Sequence, residues 1–347
     1  MLPAHPLLAA ASARGRRFLG CELAFLGGAM TWVSERNLVT ALGRAGAFGV
    51  LACGAMTPER LDEEIQATQA LSDAPFGVNL IVMHPDLARL VQVCLDRKVS
   101  HIVLAGGLPH KDTIQAIRQG GAKLVCFAPT LALAKKLVRS GADALVIEGS
   151  EAGGHVGPVS TSVLAQEILP FVTDVPVFVA GGIGHGEMIA AYLRMGAAGV
   201  QMGTRFAAAT ESIAHPAFKQ AFVRASARDA VTSVQIDPQF KVIPVRGLVN
   251  TGTERFAETQ VEVIGRYRRG EASYEEASLQ IERFWAGALR RAVVEGDVEQ
   301  GSLMAGQSVG FVKAVEPVTD ILAELVVQTE AALARRAPAG ALPAAAE

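Results

Sequence analysis

The feature that most constrains this chain is a series of short apolar runs, each followed by a longer stretch of helical period: Leu23–Leu26, Phe48–Ala52, Gly77–Val82, His101–Ala105, Lys123–Phe127, Ala144–Glu148, Val177–Ala180 and Gly199–Met202. Their starts lie about 20 to 35 residues apart, room for one strand, one crossover helix and two short loops, so consecutive strands are expected to run parallel. The runs are apolar at nearly every position rather than alternating, the pattern of strands covered on both faces. Eight such units predict an α/β protein, a closed (β/α)8 TIM barrel; an open doubly wound sheet is the alternative that the same runs leave.

The organisation expected is a barrel over 18–204, a helical insertion over 205–310 that caps it, a closing helix over 311–335 that returns to the barrel, and a disordered Ala- and Pro-rich tail over 336–347. The insertion is richer in charge, with helical patterning such as Tyr274 to Val294 and no clear strand sequence of the earlier kind.

Composition agrees with one large core: half of the 347 residues are hydrophobic and only 19% are charged. A net charge of −2 provides no footprint for a phosphate backbone or an anionic membrane, so nucleic acid is not an expected partner. Mean hydropathy of +0.30 raises the question of a membrane. The longest candidate, Leu38 to Met56, is broken by Arg44 and several glycines, and no spanning helix is expected. Over Met1 to Arg17 the arginines follow the short apolar run, the wrong order for a secretory signal, which predicts a cytoplasmic protein. Cys21, Cys53, Cys94 and Cys126 form no C-x-x-C pair, and no histidine pair has metal-ligand spacing, so reduced core thiols and no metal are expected.

In a parallel barrel the chemistry sits at the carboxyl ends of the strands. The seventh run closes with Ala180-Gly181-Gly182-Ile183-Gly184 and the eighth with Gln201-Met202-Gly203-Thr204-Arg205. Two successive glycine-bearing ends, each leading into a helix, offer backbone N–H groups to a phosphate; the plainer reading is that the glycines only permit tight turns. No G-x-G-x-x-G follows the first run and there is no P-loop, so a mononucleotide fits better than a dinucleotide. Asn79, set among apolar residues in the third run, is either a satisfied structural amide or a reader of a flavin edge. After the sixth run, Glu148-Gly149-Ser150-Glu151-Ala152-Gly153-Gly154-His155 places an imidazole on a glycine-flexible loop, which makes His155 the candidate acid or base.

These residues resemble a known family. Gly28-Ala29-Met30-Thr31-Trp32-Val33, Phe76-Gly77-Val78-Asn79, Glu151-Ala152-Gly153-Gly154-His155, Ala180-Gly181-Gly182-Ile183, Gln201-Met202-Gly203-Thr204-Arg205-Phe206 and Met304-Ala305-Gly306-Gln307 are similar to motifs of the FMN-dependent barrel enzymes that include nitronate monooxygenase and the flavin enoyl-acyl-carrier-protein reductase II. The resemblance runs from about Gly20 to Leu325. It implies FMN with its phosphate on Gly181, Gly182, Gly203 and Thr204 and its ring near Ala29, Met30, Thr31 and Asn79. Glu148, Gly153, Gly154, Gln201 and Met202 are implied close by, with His155 as the catalytic acid or base. The family usually has Gln-Gly-Gly-Met after the first strand, where this chain reads Gly27-Gly28-Ala29-Met30.

The resemblance implies an oxidoreductase, with nitronate monooxygenase activity as the leading expectation: a nitronate reduces the flavin and O2 completes the conversion to carbonyl compound and nitrite. The alternatives are an NAD(P)H-dependent enoyl-acyl-carrier-protein reductase and an NAD(P)H:quinone reductase. Expected partners are accordingly a nitronate or an enoyl thioester, O2 or NAD(P)H, and in the reductase case an acyl carrier protein; a homodimer is allowed but not required. Outside enzymes, the same barrel would suit a sensor of a phosphorylated ligand, against which a titratable group on a glycine loop argues.

Overall fold

The computed structural model describes residues 2–240, 244–285 and 287–335. Eight parallel strands close into a barrel: β1 (Phe25–Gly27), β2 (Phe48–Ala52), β3 (Phe76–Ile81), β4 (His101–Ala105), β5 (Lys123–Phe127), β6 (Ala144–Glu148), β8 (Val177–Ala180) and β9 (Gly199–Met202). The ring is sealed by β9 on β1, with Phe25, Leu26 and Gly27 opposite Val200, Gln201 and Met202. The open sheet is thereby excluded. Two strands differ slightly from the expected runs: β1 begins at Phe25 rather than Leu23, and β3 spans Phe76–Ile81 rather than Gly77–Val82. Leu23 and Ala24 are buried but lead into the barrel before its ladder with β9 begins.

Alternation along each strand divides the side chains between two cores. Leu26, Phe48, Val50, Val103, Val125, Val146 and Phe178 fill the lumen. Leu51, Val78, Leu80, Ile102, Leu124, Leu145 and Val179 face outward against the surrounding helices. Each such side chain removed from water contributes about 1.5–3 kcal/mol. The helices begin and end where local chemistry dictates. Leu131–Ser140, for example, starts after Thr130, whose hydroxyl accepts from the Leu133 N–H, and stops at left-handed Gly141.

The amino-terminal end of the lumen is plugged. The Phe18 ring lies edge-on to His101, and the His101 Nε2 lies 3.0 Å from the Phe18 carbonyl oxygen. Burial pushes this imidazole down to about 4, so it stays neutral, and its place at the start of β4 removes it from the carboxyl-end chemistry.

The chain over 205–310 is mostly helical, with Pro216–Arg224, Thr251–Arg268 and Tyr274–Trp285, and a small core of its own around Phe240, Phe256, Val263, Ile264 and Ile281. It also contains two short strands that are not of the earlier apolar kind. β10 (Ala230–Thr232) pairs with β11 (Val245–Leu248), and β11 pairs with β7 (Gly154–His155) in a small antiparallel sheet. These strands are short and only partly buried, so they lack the two-sided apolar signature of the barrel strands. A helix over Val318–Ala334 packs back on the barrel. Buried Arg205, just after β9, donates to the Gly184 carbonyl at 3.0 Å and pairs with Glu324 on that helix. No described helix is long and apolar enough to cross a membrane.

Candidate active site

Strand register assembles a polar layer at the carboxyl end of the lumen. Glu148 on β6 lies opposite Ala180 on β8, and Ala180 lies opposite Gln201 on β9. Across the barrel, Asn79 on β3 shares the inward parity, and its amide donates to the Val103 carbonyl at 3.2 Å. Asn79 and Gln201 are each 8% exposed, so both are largely buried in this layer. Burial without a charged partner pushes the Glu148 carboxyl up to about 7. Of the two carboxylates after β6, Glu148 holds a proton near neutrality.

The other, Glu151, has a structural task. Its Oε2 lies 2.8 Å from both the backbone nitrogen and the hydroxyl of Thr161, at the start of the helix Thr161–Ile168. The Thr161 hydroxyl also lies 3.1 Å from the Gly181 carbonyl oxygen, tying the β6 loop to the β8 turn. Gly181 and Gly182 there have φ of 98° and 71°, and a Cβ on Gly182 would lie 2.9 Å from that of Glu151. Glycine is therefore required at 182 by the turn itself.

The β1 loop folds over the same mouth. Ser34, which sequence reasoning missed, accepts from the Met30 N–H and donates to the Gly28 carbonyl, both at 2.9 Å. A side chain on Gly28 would meet Gln201 at 3.1 Å, and at Gly27, where the usual motif has Gln, a Cβ would lie 2.3 Å from the Leu42 side chain. Met30 reaches across to Gly203, where an added Cβ would lie 3.3 Å from its sulfur. Ala29 packs at the top of the lumen, and the Thr31 hydroxyl faces Gly54. Met202 turns the other way: its side chain is buried in the outer core, and only its carbonyl joins the mouth, accepting from the Gly28 N–H.

His155 stands on β7, exposed, with its basicity lowered by the protein packed around it. The loop that carries it is fastened by residues far away in sequence. A Cβ on Gly153 would lie 2.6 Å from the backbone of Ala305 and Gly306, and the Gly306 N–H donates to Thr204 Oγ1 at 3.0 Å. The Gln307 N–H donates to the Glu151 carbonyl at 2.9 Å. The segment Met304-Ala305-Gly306-Gln307 thus joins the β6 loop to the end of β9, a role that its resemblance to a motif signalled without explaining. Gly154 takes φ 79° beside the Met304 sulfur.

This donor set fits a flavin mononucleotide. Among the described residues, the backbone N–H groups of Gly182 and Gly203 make no hydrogen bond within the chain and suit phosphate oxygens. Asn79 and Gln201 offer both donors and acceptors to a heteroaromatic edge. Among the described residues no cluster of His, Cys, Asp or Glu is gathered to hold a metal ion.

A closed βα barrel with a polar lumen floor and two glycine loops on neighbouring strand ends is the architecture of a flavin-dependent oxidoreductase. The family model described as nitronate monooxygenase matches residues 17–92 and 87–328, and the chain belongs to that family. It is 29% identical over 334 residues to (3aS,4S,5R,7aS)-5-hydroxy-7a-methyl-1-oxo-octahydro-1H-indene-4-carboxyl-CoA dehydrogenase of Mycobacterium tuberculosis, covering 89% of this chain and 93% of that protein. It is 26% identical over 354 residues to nitronate monooxygenase of Paraburkholderia phytofirmans, covering 88% and 92%. Among solved structures, FabK from Thermotoga maritima superposes with a TM-score of 0.83 at 36% identity over 92% of this chain and 96% of that one. Nitroalkane oxidase from Streptomyces ansochromogenes gives 0.71 at 27% identity over 89% and 96%.

Proposed function

We propose that this oxidoreductase binds FMN at the barrel mouth and reduces the C2–C3 double bond of an enoyl thioester with NAD(P)H, with His155 exchanging the proton at C2. The observation that carries this reading is the lumen floor. Glu148 holds a carboxyl there with no cation to offset it, and the neighbouring inward positions Ala52, Asn79, Ala105, Phe127, Ala180 and Gln201 include no basic residue. A floor of that kind suits a neutral thioester carbonyl better than an anionic nitronate, because an anion buried with no cation beside it is costly. Two of the comparisons support the same class: a carboxyl-CoA dehydrogenase among the relatives, and FabK among the structures.

When bound, FMN would supply hydride exchange. Gly182 and Gly203 would hold its phosphate, and Asn79 and Gln201 would orient its ring. In the reducing direction the His155 imidazolium gives its proton to C2, helped by its lowered basicity, and takes another from water; in the reverse direction the neutral imidazole takes the proton from C2. Glu148 keeps a proton in the floor near neutrality and donates a hydrogen bond without adding fixed charge.

Nitronate oxidation is the second reading, favoured by the family model and by the form of Glu151-Ala152-Gly153-Gly154-His155. The two are separated by anaerobic incubation of the FMN-loaded protein with a trans-2-enoyl thioester and NADH or NADPH deuterated at the transferable position. Saturated thioester labelled at C3 is expected. No product with any enoyl thioester, together with nitrite release from ethyl nitronate in air, would replace the thioester reading with the nitronate one.

A further inference from the structure

We infer that Arg246 is the positioning residue that sets the His155 loop over the mouth, so that the insertion after the barrel completes the active site. This inference rests on the assignment of His155 as the proton-exchanging group. Arg246 lies on β11 directly opposite Gly154, and its neighbour Val245 lies opposite His155. From that register its guanidinium spans two segments: Nε donates to the Ser150 carbonyl at 2.7 Å, and Nη1 donates to the Ala230 carbonyl on β10 at 2.6 Å.

One half-buried side chain therefore grips the start of the β6 loop while the backbone on either side of it grips the end. The Val156 N–H donates to the Pro244 carbonyl at 3.0 Å, closing the ladder just past the imidazole. These ties act beside those at the middle of the loop, where Glu151 is held at Thr161 and Gln307, and fix the two ends of a stretch over 149–154 in which Gly149, Gly153 and Gly154 leave the backbone free. The charged groups nearest this arrangement are Arg246 itself on β11 and Glu151 on the same loop as His155, and the Glu151 carboxylate is held at Thr161. The fork matters as well as the charge, because two donors on one planar group reach two carbonyls at once, and a lysine ammonium on a flexible stem does not reproduce that geometry.

The test compares Arg246→Met, Arg246→Lys and His155→Ala with the parent, all loaded with FMN, and reads both turnover and the imidazole titration of His155 by NMR. Arg246→Met is expected to keep the flavin spectrum, to lower kcat by ten- to a hundredfold with little change in KM, on the order of one misplaced catalytic group, and to move the His155 titration up toward its ordinary value as the loop opens to water. Arg246→Lys is expected to recover only part of the loss. The double variant Arg246→Met/His155→Ala is expected to be no slower than His155→Ala alone. Unchanged titration in Arg246→Met, or a double variant whose losses multiply, would overturn the inference. If His155→Ala itself turns over fully, the assignment of His155 fails; the titration still reports separately whether Arg246 places the ring.

Discussion

Glu148 and Gln201 stand on either side of Ala180 in consecutive strand register, one layer at the top of the lumen, with the ionisable member desolvated and the amide buried. This puts a proton-holding group and a two-sided hydrogen-bonding group on adjoining strands without any nearby basic residue among the inward positions. The floor is consequently polar yet close to neutral at physiological pH.

The carboxyl of Glu148 titrates near 7 in the fold against 4.5 for an ordinary glutamate, so between those values the folded chain holds a proton that the unfolded chain has lost. Stability from this group is fully present below 4.5, falls as pH rises toward 7, and falls no further above it. Glu148→Gln is therefore expected to raise Tm at about pH 8.5, by about 1–2 °C for each kcal/mol relieved, and to leave it nearly unchanged at about pH 4.5. Scanning calorimetry at the two pH values checks this. A variant equally stabilised at both would show that ionisation is not the cause.

His155→Ala is expected to keep its flavin and lose about a hundred- to ten-thousandfold in the chemical step, the usual worth of a positioned acid or base. Because His155 must be protonated to give its proton to C2 and the imidazole is held below its ordinary 6.5, kcat/KM of the parent in the reducing direction should fall as pH rises through a value below 6.5, a limb that vanishes in the variant. Full turnover with an unaltered pH profile would remove His155 from the chemistry.

Gly203 provides a cleaner probe of the phosphate site than Gly182. Its backbone is not left-handed, and an added Cβ meets only the flexible Met30 thioether at 3.3 Å, whereas any side chain at 182 strains a turn with φ 71°. Gly203→Ala is expected to fold normally and, by setting a methyl beside the N–H that the phosphate approaches, to weaken FMN binding by about ten- to a hundredfold. Fluorescence titration of the apoprotein with FMN measures it. Parent-like affinity would move the phosphate elsewhere.

Arg205 ties the end of β9 to the last helix. Arg205→Met leaves the Gly184 carbonyl without its donor and removes the partner of Glu324, and is expected to cost about 1–3 kcal/mol. A denaturant midpoint lowered at constant slope would show it. No change in midpoint would mean that the Val318–Ala334 helix docks through its apolar face alone.

The barrel was legible because two-sided burial leaves a mark on composition: Ala144–Glu148, Val177–Ala180 and Gly199–Met202 are strands in the structure with the bounds that their apolar runs predict. Asn79 was legible as a polar interruption in such a run, whereas Glu148 and Gln201 were singled out only by the resemblance. What escaped notice depends on contacts across long sequence separations. Ser34, Thr161 and Arg246 act on the backbone of distant loops, and such roles leave no local pattern. β10 and β11 exist because β7 offers an edge to pair with, and half-exposed strands of mixed polarity read as loop or helix in isolation. The outward turn of Met202 follows from the parity of β9, which becomes clear only once Gln201 is known to face the lumen.

The central claim, a flavin enzyme that passes reducing equivalents from a nicotinamide to an enoyl thioester, is tested most directly by an anaerobic visible spectrum of the purified protein as NADH or NADPH and then a trans-2-enoyl thioester are added. The flavin spectrum is expected to bleach with one of the nicotinamides and to return on addition of the thioester. A flavin that ignores both nicotinamides and bleaches with ethyl nitronate would contradict it, as would a protein that binds no flavin at all.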